Sequence, residues 1–568
     1  MMVSGKLTNG SSLMKNNLNP DIRPKTLDQR KTHFWSSRAC SALLGAKQIS
    51  LLHDKKREID SRFLVCYLRS IVFGFLFLVL SLYIFIHALN ASENVPIPME
   101  HWSYQILEYF ATEGILKIEL ETKPVTREEV RLALEDVKEQ YLNGKLNIDH
   151  VEDDLLSSLY EEFFPISKQN FRNVPKTIYS DKFTLLKEES SIGIDLTKNG
   201  EDSEYTANFK TSLWGNLGKH ISFLETIKIL RKKNAGPKDS LGVREWKGSR
   251  ATAPIALFNL SFPHFEINAG RTFNWLGPGR YGTLLLSNNY PYFDGINTII
   301  KLSKLKLSSF FIVINIDSLK FLSGHRIEIG NIWGVTLGFN EFVIYSNRIE
   351  PGYLNPLFIL YGEQYNRGDK DNIMWSFDFS IYLFRKAKLY GEFLIDDFQY
   401  EATPPAPSKF GSLLGVHITE PFSLPRLDIS MEYTRIKKWV YTHKYPENMY
   451  SNYSVCIGHP FGPDGDGFDI TLREFFRWNI IPQLHFGYRR KGEGRIDEPW
   501  EKGIDPHPKF PSGIVKSTIL FDISLFLKPF PSSEFVPGWR TYRTENSNNI
   551  RDWVEQDNEF FIKASLTF

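Results

Sequence analysis

Three stretches of this chain combine residue types and spacings that could do chemistry. Gly277-Pro278-Gly279-Arg280-Tyr281-Gly282 matches the G-x-G-x-x-G pattern that cradles a dinucleotide pyrophosphate. That pattern works only where a helix opens at the third glycine inside a βαβ unit. Here Thr283 to Asn289 runs directly toward Pro291, which leaves no room for such a helix, so the glycines read as tight-turn residues with positive φ. Asp464-Gly465-Asp466-Gly467 with Asp469 has the look of a calcium loop, but Phe468 stands where a third ligand is needed and Asp469 where the loop needs glycine. A plain Gly/Asp turn is the expectation there, with a hard-cation loop the alternative. His264, His325, His417, His443, His459, His485 and His507 are scattered, with no zinc spacing, nucleophile elbow or P-loop among them. Acidic residues are plentiful, but nothing singles out a pair at glycosidase geometry. The reading is of a chain that is not an enzyme and takes no cofactor or metal.

The elements that would position these residues emerge from composition. The chain has 568 residues, 14% of them aromatic, a mean hydropathy of −0.27 and a net charge of +2. That hydropathy excludes a polytopic helical membrane protein, and the charge offers no footprint for nucleic acid. The charge is unevenly spread. Residues 1–62 hold 12 Lys/Arg and 5 Asp/Glu without periodicity and read as a disordered basic leader. Residues 63–91 contain the 16-residue apolar run Ile71–Ile86 behind Arg69, with Ala88 and Ala91 beyond it. This fits a secretory signal peptide, with a membrane anchor as the alternative. Because a long lead before a signal peptide is unusual, the expected start lies near Leu64 or Val65. Cleavage after Ala91 would leave Cys456 alone and a net charge of −6.

Residues 92–172 read as helical. Trp102, Ile106, Tyr109 and Phe110 share one helix face, with Gly114 placed to end it. Thr126 and Glu129 form a capping-box pattern ahead of Val130, Leu134 and Val137. Leu155, Leu156, Leu159 and Tyr160 form a further stripe. From residue 173 to Phe568 helical periodicity gives way to alternating stretches such as Lys304–Ser308, His220–Ile229 and Gln483–Tyr488. In the last one Phe560, Ile562, Ala564, Leu566 and Phe568 make one apolar face and Glu559, Lys563, Ser565 and Thr567 the other, spoiled only by Phe561. Dyad repeats of this kind, the aromatic surplus and a terminal Phe568 that resembles an outer-membrane insertion signal point to a transmembrane β-barrel. At roughly 22 residues per strand and loop, the region provides about 16–18 strands. A soluble β-sandwich or propeller is the alternative on alternation alone.

Two resemblances add to this. His101-Trp102, Tyr104, Gly114-Ile115 and Pro124-Val125-Thr126-Arg127-Glu128 resemble an S-layer-homology module, though the Gly-Asp-Gly-Phe turn of that family is missing. It implies a small periplasmic helical domain and, as a partner, peptidoglycan or another wall polymer. Gly270–Ile296 resembles the signature of the Wzi family of capsule-assembly outer-membrane proteins, through Arg271, Trp275, Gly277-Pro278-Gly279, Gly282, Leu284–Ser287, Asn289 and Phe293. Collinear pieces follow: His325-Arg326 with Glu328, Gly338 through Glu341 to Tyr345, Asn355-Pro356, Glu363-Gln364, Asp371-Asn372, Glu392–Asp397 and Gly458-His459-Pro460 with Gly462-Pro463-Asp464.

The resemblance implies an integral outer-membrane barrel, seated in lipid by the barrel-assembly machinery, that binds capsular or extracellular polysaccharide like a lectin. A general porin on the same fold and, more distantly, an outer-membrane hydrolase are the rival readings. Arg271, Arg280, Arg326 and Arg435 could fork onto uronates. Asn289, Asn372, Asp294 and Asp397 could bond sugar hydroxyls, and Trp275, Tyr290 and Tyr292 could stack on pyranose faces. For each of these the plainer role is bracing of the barrel interior.

Overall fold

The computed structural model describes residues 94–164, 175–181, 183–200, 202–232, 243, 245–289, 292–368, 370–399, 406–453 and 455–568. The basic leader, the signal or anchor segment and Tyr290 lie outside these residues.

The helical expectations hold. The first helix, α1 (Ser103–Thr112), buries Ile106, Tyr109 and Phe110 and is followed by Gly114 at φ +66°. Helix α2 (Arg127–Leu142) opens on a complete Thr126/Glu129 capping box, and α3 (His150–Phe163) on a second one formed by Asp149 and Glu152. Reciprocal side-chain bonds satisfy N–H groups that the first turn of a helix leaves open. The three helices share one apolar core, which also takes in Ile481 from the sheet and Phe475 from one of its short turns.

Among the described residues eighteen antiparallel strands close into a barrel, and a short segment, Lys176–Ser180, pairs alongside the first of them. The first nine are β1 (Thr184–Asn199), β2 (Asp202–Leu217), β3 (Ile221–Lys232), β4 (Ser249–Phe262), β5 (Phe265–Thr272), β6 (Phe293–Leu302), β7 (Leu305–Asn315), β8 (Lys320–Ile332) and β9 (Val335–Tyr345). Then come β10 (Asn372–Leu383), β11 (Ala387–Asp397), β12 (Lys409–Thr419), β13 (Leu427–Ile436), β14 (Gly465–Glu474), β15 (Ile480–Lys491), β16 (Lys516–Leu527), β17 (Ser533–Glu545) and β18 (Val554–Thr567). The wall closes where β18 pairs with β1, Lys563 opposite Asp195, and Phe568 exchanges backbone hydrogen bonds with Ser190. Closure leaves no edge, which hydrocarbon requires because it offers an unpaired N–H or C=O no partner. Connections are long at one end (273–292, 346–371, 437–464 and 492–515) and short at the end nearer the C-terminus (218–220, 303–304 and 333–334). Bacterial barrels place long loops outside the cell and short turns in the periplasm.

Period-2 alternation sorts every strand into two faces. On β18 the face of Phe560, Ile562, Leu566 and Phe568 is exposed toward lipid, as the sequence pattern requires. Phe561, which broke that pattern, turns inward over Gly538, its cross-strand partner on β17; a Cβ on Gly538 would lie 2.2 Å from the Phe561 ring. Tyr390 covers Gly415 in the same way, at 2.3 Å. Rings that lie across facing glycines pin the register of a wall whose alternation alone is repetitive. A Gly415→Val variant should displace the Tyr390 ring and, as overpacking, cost about 1–3 kcal/mol. The check is gel heat-modifiability, where the folded band should disappear at a lower temperature than in the parent protein.

Candidate functional site: a stapled plug in the barrel lumen

The helical segment docks on the inner wall around much of its circumference. Ser222 Oγ on β3 donates to the Asn94 carbonyl at 2.8 Å, and Asn94 Nδ2 donates to Asn259 Oδ1 on β4 at 3.3 Å. Lys301 on β6 pairs with Glu129 at 3.2 Å, and Thr122 Oγ1 donates to Glu328 on β8 at 2.8 Å. Lys388 on β11 pairs with Glu121 at 3.0 Å, and His417 on β12 shares a 3.0 Å hydrogen bond with Thr112. The short turns add Arg426 to Asp149 at 3.0 Å and Arg477 to Asp154 at 2.5 Å.

From the opposite end the β5–β6 connection descends into the lumen. Its Trp275–Leu276 pairs as a short antiparallel strand with Thr122–Lys123 of the helical segment, and Gly277 N donates to the Glu121 carbonyl at 2.8 Å. The two insertions therefore meet inside the barrel. Beyond this contact the Gly277–Leu286 stretch is held by two buried carboxylates. Glu392 on β11 accepts from Gly279 N at 3.0 Å and Leu284 N at 2.7 Å. Glu432 on β13 accepts from Arg280 N at 2.7 Å and from the Tyr390 hydroxyl at 3.0 Å. Tyr441 donates its hydroxyl to the Leu284 carbonyl, and Ser287 Oγ donates to the Gly458 carbonyl. Leu284, Leu285 and Leu286 then fill the upper lumen against Phe310, Ile312, Phe342 and Met374.

This geometry explains the glycine run without a cofactor. A Cβ on Gly277 would fall 2.4 Å from Glu392, one on Gly279 2.1 Å from the Gly282 carbonyl, and one on Gly282 2.6 Å from His459 and Pro460. Only Gly277 has positive φ, so close approach accounts for the other two glycines, contrary to the expectation of turns alone. Burial holds His459 neutral, lowered to about 3, as it packs on Gly282 and edge-on against Phe461.

The Arg280 side chain extends to the helical segment and pairs with Glu108 at 3.1 Å; Lys123 and Arg473 are 3.4 and 3.9 Å from the same carboxylate. Burial alone would raise the pKa of Glu108, but these three cations outweigh it and hold the carboxyl well below its ordinary range. A cavity of about 560 Å³ remains between the helical segment and the wall, lined by Asn268, Asn274, Asn297, Lys301 and Lys306.

The candidate binding residues separate into two groups. Trp275 is buried and donates to the Gly277 carbonyl; Asn289 donates to the Cys456 carbonyl at 2.7 Å and Asn372 to the Asn448 carbonyl at 3.1 Å. Arg326 is 0% exposed and forks onto Asp378 at 2.6 and 2.9 Å, with a further bond to Glu328. With Arg280, these side chains spend their polar groups on the protein itself. Arg271 and Asp294 make a two-bond pair at 2.8 and 2.7 Å beside the Tyr292 ring, one residue below the upper strand ends and on the outward face. Asp397 is likewise outward at the upper rim and accepts from Gln399, while Arg435 lies over the Phe510 ring.

The Asp464–Asp469 stretch leads into and forms part of β14. Asp464 accepts from Gly494 N and Ser512, Asp466 from Arg490 and Tyr433, and Asp469 pairs with His485. No group of three His, Cys, Asp or Glu poised for a metal occurs among the described residues. Glu108, Glu432 and their contacts to Arg280 were missed at the sequence level. An inward glutamate such as Glu432 is visible as a face, but its partner is not.

These features define the class: a closed, lumen-plugged outer-membrane barrel. The family model described as capsule assembly protein Wzi matches residues 327–525, which takes in the motifs from Glu328 to Asp464. A solved structure from Escherichia coli, described as Wzi, an outer-membrane protein involved in group 1 capsule assembly and a carbohydrate-binding β-barrel, is similar with a TM-score of 0.56 at 14% identity. That likeness covers 84% of this chain and 99% of the other. The Pseudomonas aeruginosa barrel OccK1 is similar at a TM-score of 0.42 and 10% identity, over 67% of this chain and 98% of that one, which is too loose to argue from. No curated protein matches. The chain is thus similar to the Wzi capsule-assembly family over residues 327–525, and its closed barrel is that of an integral outer-membrane protein.

Two outcomes follow from the staples. A Glu392→Ala variant strands two buried N–H groups, at about 1–3 kcal/mol each, so amide hydrogen exchange across 277–286 should accelerate while the wall strands stay protected. Glu108, with its lowered pKa, stabilises docking fully above the ordinary glutamate value of 4.5 and loses that contribution as pH falls below it. The difference in thermal stability between the parent and Glu108→Gln should therefore be largest near neutral pH and shrink as pH drops below about 4.5.

Proposed function

We propose that the protein holds capsular or extracellular polysaccharide at the cell surface as a non-catalytic, lectin-like barrel. The observation that carries this reading is the filled lumen. A porin needs an aqueous path, whereas here the helical segment and the Trp275–Leu286 stretch interlock across the interior. The family match supports it, as does the fold likeness to a barrel described as carbohydrate-binding. Fold alone does not fix function, so the weight falls on the plug.

Within this reading the polymer meets the extracellular rim. Arg271, Asp294 and Tyr292 combine a guanidinium, a carboxylate and a ring face on one exposed patch, with Asp397 as a further polar group on that rim. The inward-facing candidates serve to brace the plug. The helical segment adds no wall-polymer site in this account: its Trp102 lies under Lys528, and Arg127 is bonded to Glu162.

Deleting the protein should release polysaccharide into the medium while total synthesis stays near the parental level, measured as cell-bound against free polymer. Unchanged cell-bound polymer would overturn the proposal. In planar bilayers the intact barrel should be electrically silent, and a large ohmic conductance would restore the porin reading.

A further inference from the structure

The connection between β9 and β10 does not stay above the barrel. It folds down over the outside of the wall. Arg326, Glu328 and Asn340 mark the lumen side of β8 and β9, which places Phe321, Ser323 and His325 of β8 and Glu341, Val343 and Tyr345 of β9 on the outer face. That face is not bare. Tyr353, from the single turn Pro351–Leu354, and Leu360, which opens the short helix α4 (Leu360–Asn366), form a closed cluster with Phe321, Val343 and Tyr345.

Beneath this cover lies a carboxylate that could not face hydrocarbon unaided. Glu341 accepts from Leu360 N at 2.9 Å, Tyr361 N at 3.0 Å and Trp375 Nε1 at 3.0 Å, and pairs with His325 at 3.1 Å. It lies four residues below Tyr345, the end of β9. At a rise of about 3.4 Å per residue and a strand tilt near 40°, that is about 10 Å below the rim.

The outer surface of this cover is apolar. Residues 351–362 contain no Asp, Glu, Lys, Arg or His. Its charges collect at the two ends and pair among themselves: Arg348 with Asp371 at 2.5 Å, Arg367 with Glu350 at 3.1 Å and with Glu363 at 2.9 Å. Between them Leu357 is 83% exposed and Ile359 74%, with Phe358 beside them. Below Glu341, which holds this connection, the same outward face of the wall carries the exposed apolar Ile327, Ile329, Leu337 and Phe377.

We propose that residues 351–362 form a lateral lipid anchor: the prong Leu357–Phe358–Ile359 inserts among the acyl chains of the outer leaflet, and Glu341 clamps it against the wall. Apolar residues exposed at this depth belong in lipid, and the lipid-facing residues below them on the same wall favour acyl chains over a second protein surface.

The test uses the full-length barrel in lipid vesicles. Leu357→Cys, with Cys40, Cys66 and Cys456 replaced by Ser, is labelled with a nitrobenzoxadiazole fluorophore. A Tyr453→Cys variant labelled likewise serves as a loop control. The label at position 357 should emit at shorter wavelength than the control. Phospholipid carrying a nitroxide high on its acyl chain should quench it at least twofold, and aqueous iodide should barely affect it. Water-like emission quenched by iodide would overturn the anchor. So would protection from both quenchers together with energy transfer between labelled copies, which would assign the surface to a second barrel. Glu341→Ala in the labelled background should lower the lipid quenching while gel heat-modifiability still reports a folded wall. Unchanged lipid quenching in that variant would overturn the clamping role.

Discussion

A sheet of eighteen strands that closes in lipid satisfies every backbone group in its wall, but it encloses a lumen wider than its own side chains can fill. The rest of this structure follows from that mismatch. One insertion comes from the chain preceding the barrel and another from the β5–β6 connection, and they meet through backbone pairing at Thr122–Lys123 and Trp275–Leu276. Each half supplies what the other lacks. The helical segment brings a self-contained apolar core, and the connection brings Leu284–Leu286 to pack the upper lumen.

Charge sets where these pieces sit. Removing Glu108, Arg280, Lys123 and Arg473 from water is costly, and such clusters add little net stability over an apolar equivalent. Their value is in specificity: breaking one partner strands the others, so the docked arrangement is strongly preferred over a shifted one. Glu392 and Glu432 do the same for the glycine-rich stretch, whose N–H groups would otherwise be buried unmet. The His325–Glu341 pair on the outer face shows the converse case, a charge directed at lipid and therefore roofed by the chain's own connection.

This arrangement changes what the motif around residues 270–296 means. Its Trp275, Arg280 and Asn289 read at first as binding groups and its glycines as turn residues, yet all are taken up in fastening the plug. Arg271 and Asp294, two residues of the same stretch, face outward at the rim instead. A single motif thus contributes both to closure of the lumen and to the surface proposed to meet polymer. The later motif pieces converge on it, since Glu392, Gly458 and His459 touch the same loop from different strands and loops.

The sequence by itself determined the wall and the helices. Period-2 alternation with polar inner residues has one solution in a membrane, and the capping boxes and Gly114 mark helix ends through contacts a few residues apart. Phe561 breaks its own pattern, and only Gly538 on the neighbouring strand explains why. Tertiary structure alone decided the partners. Arg280 reaches Glu108 across 172 positions and its N–H reaches Glu432 across 152, distances over which a linear pattern carries no pairing information. Alternation could put Arg326 and Glu392 on an inner face; whether they met polymer, water or a plug depended on what the closed barrel had to contain.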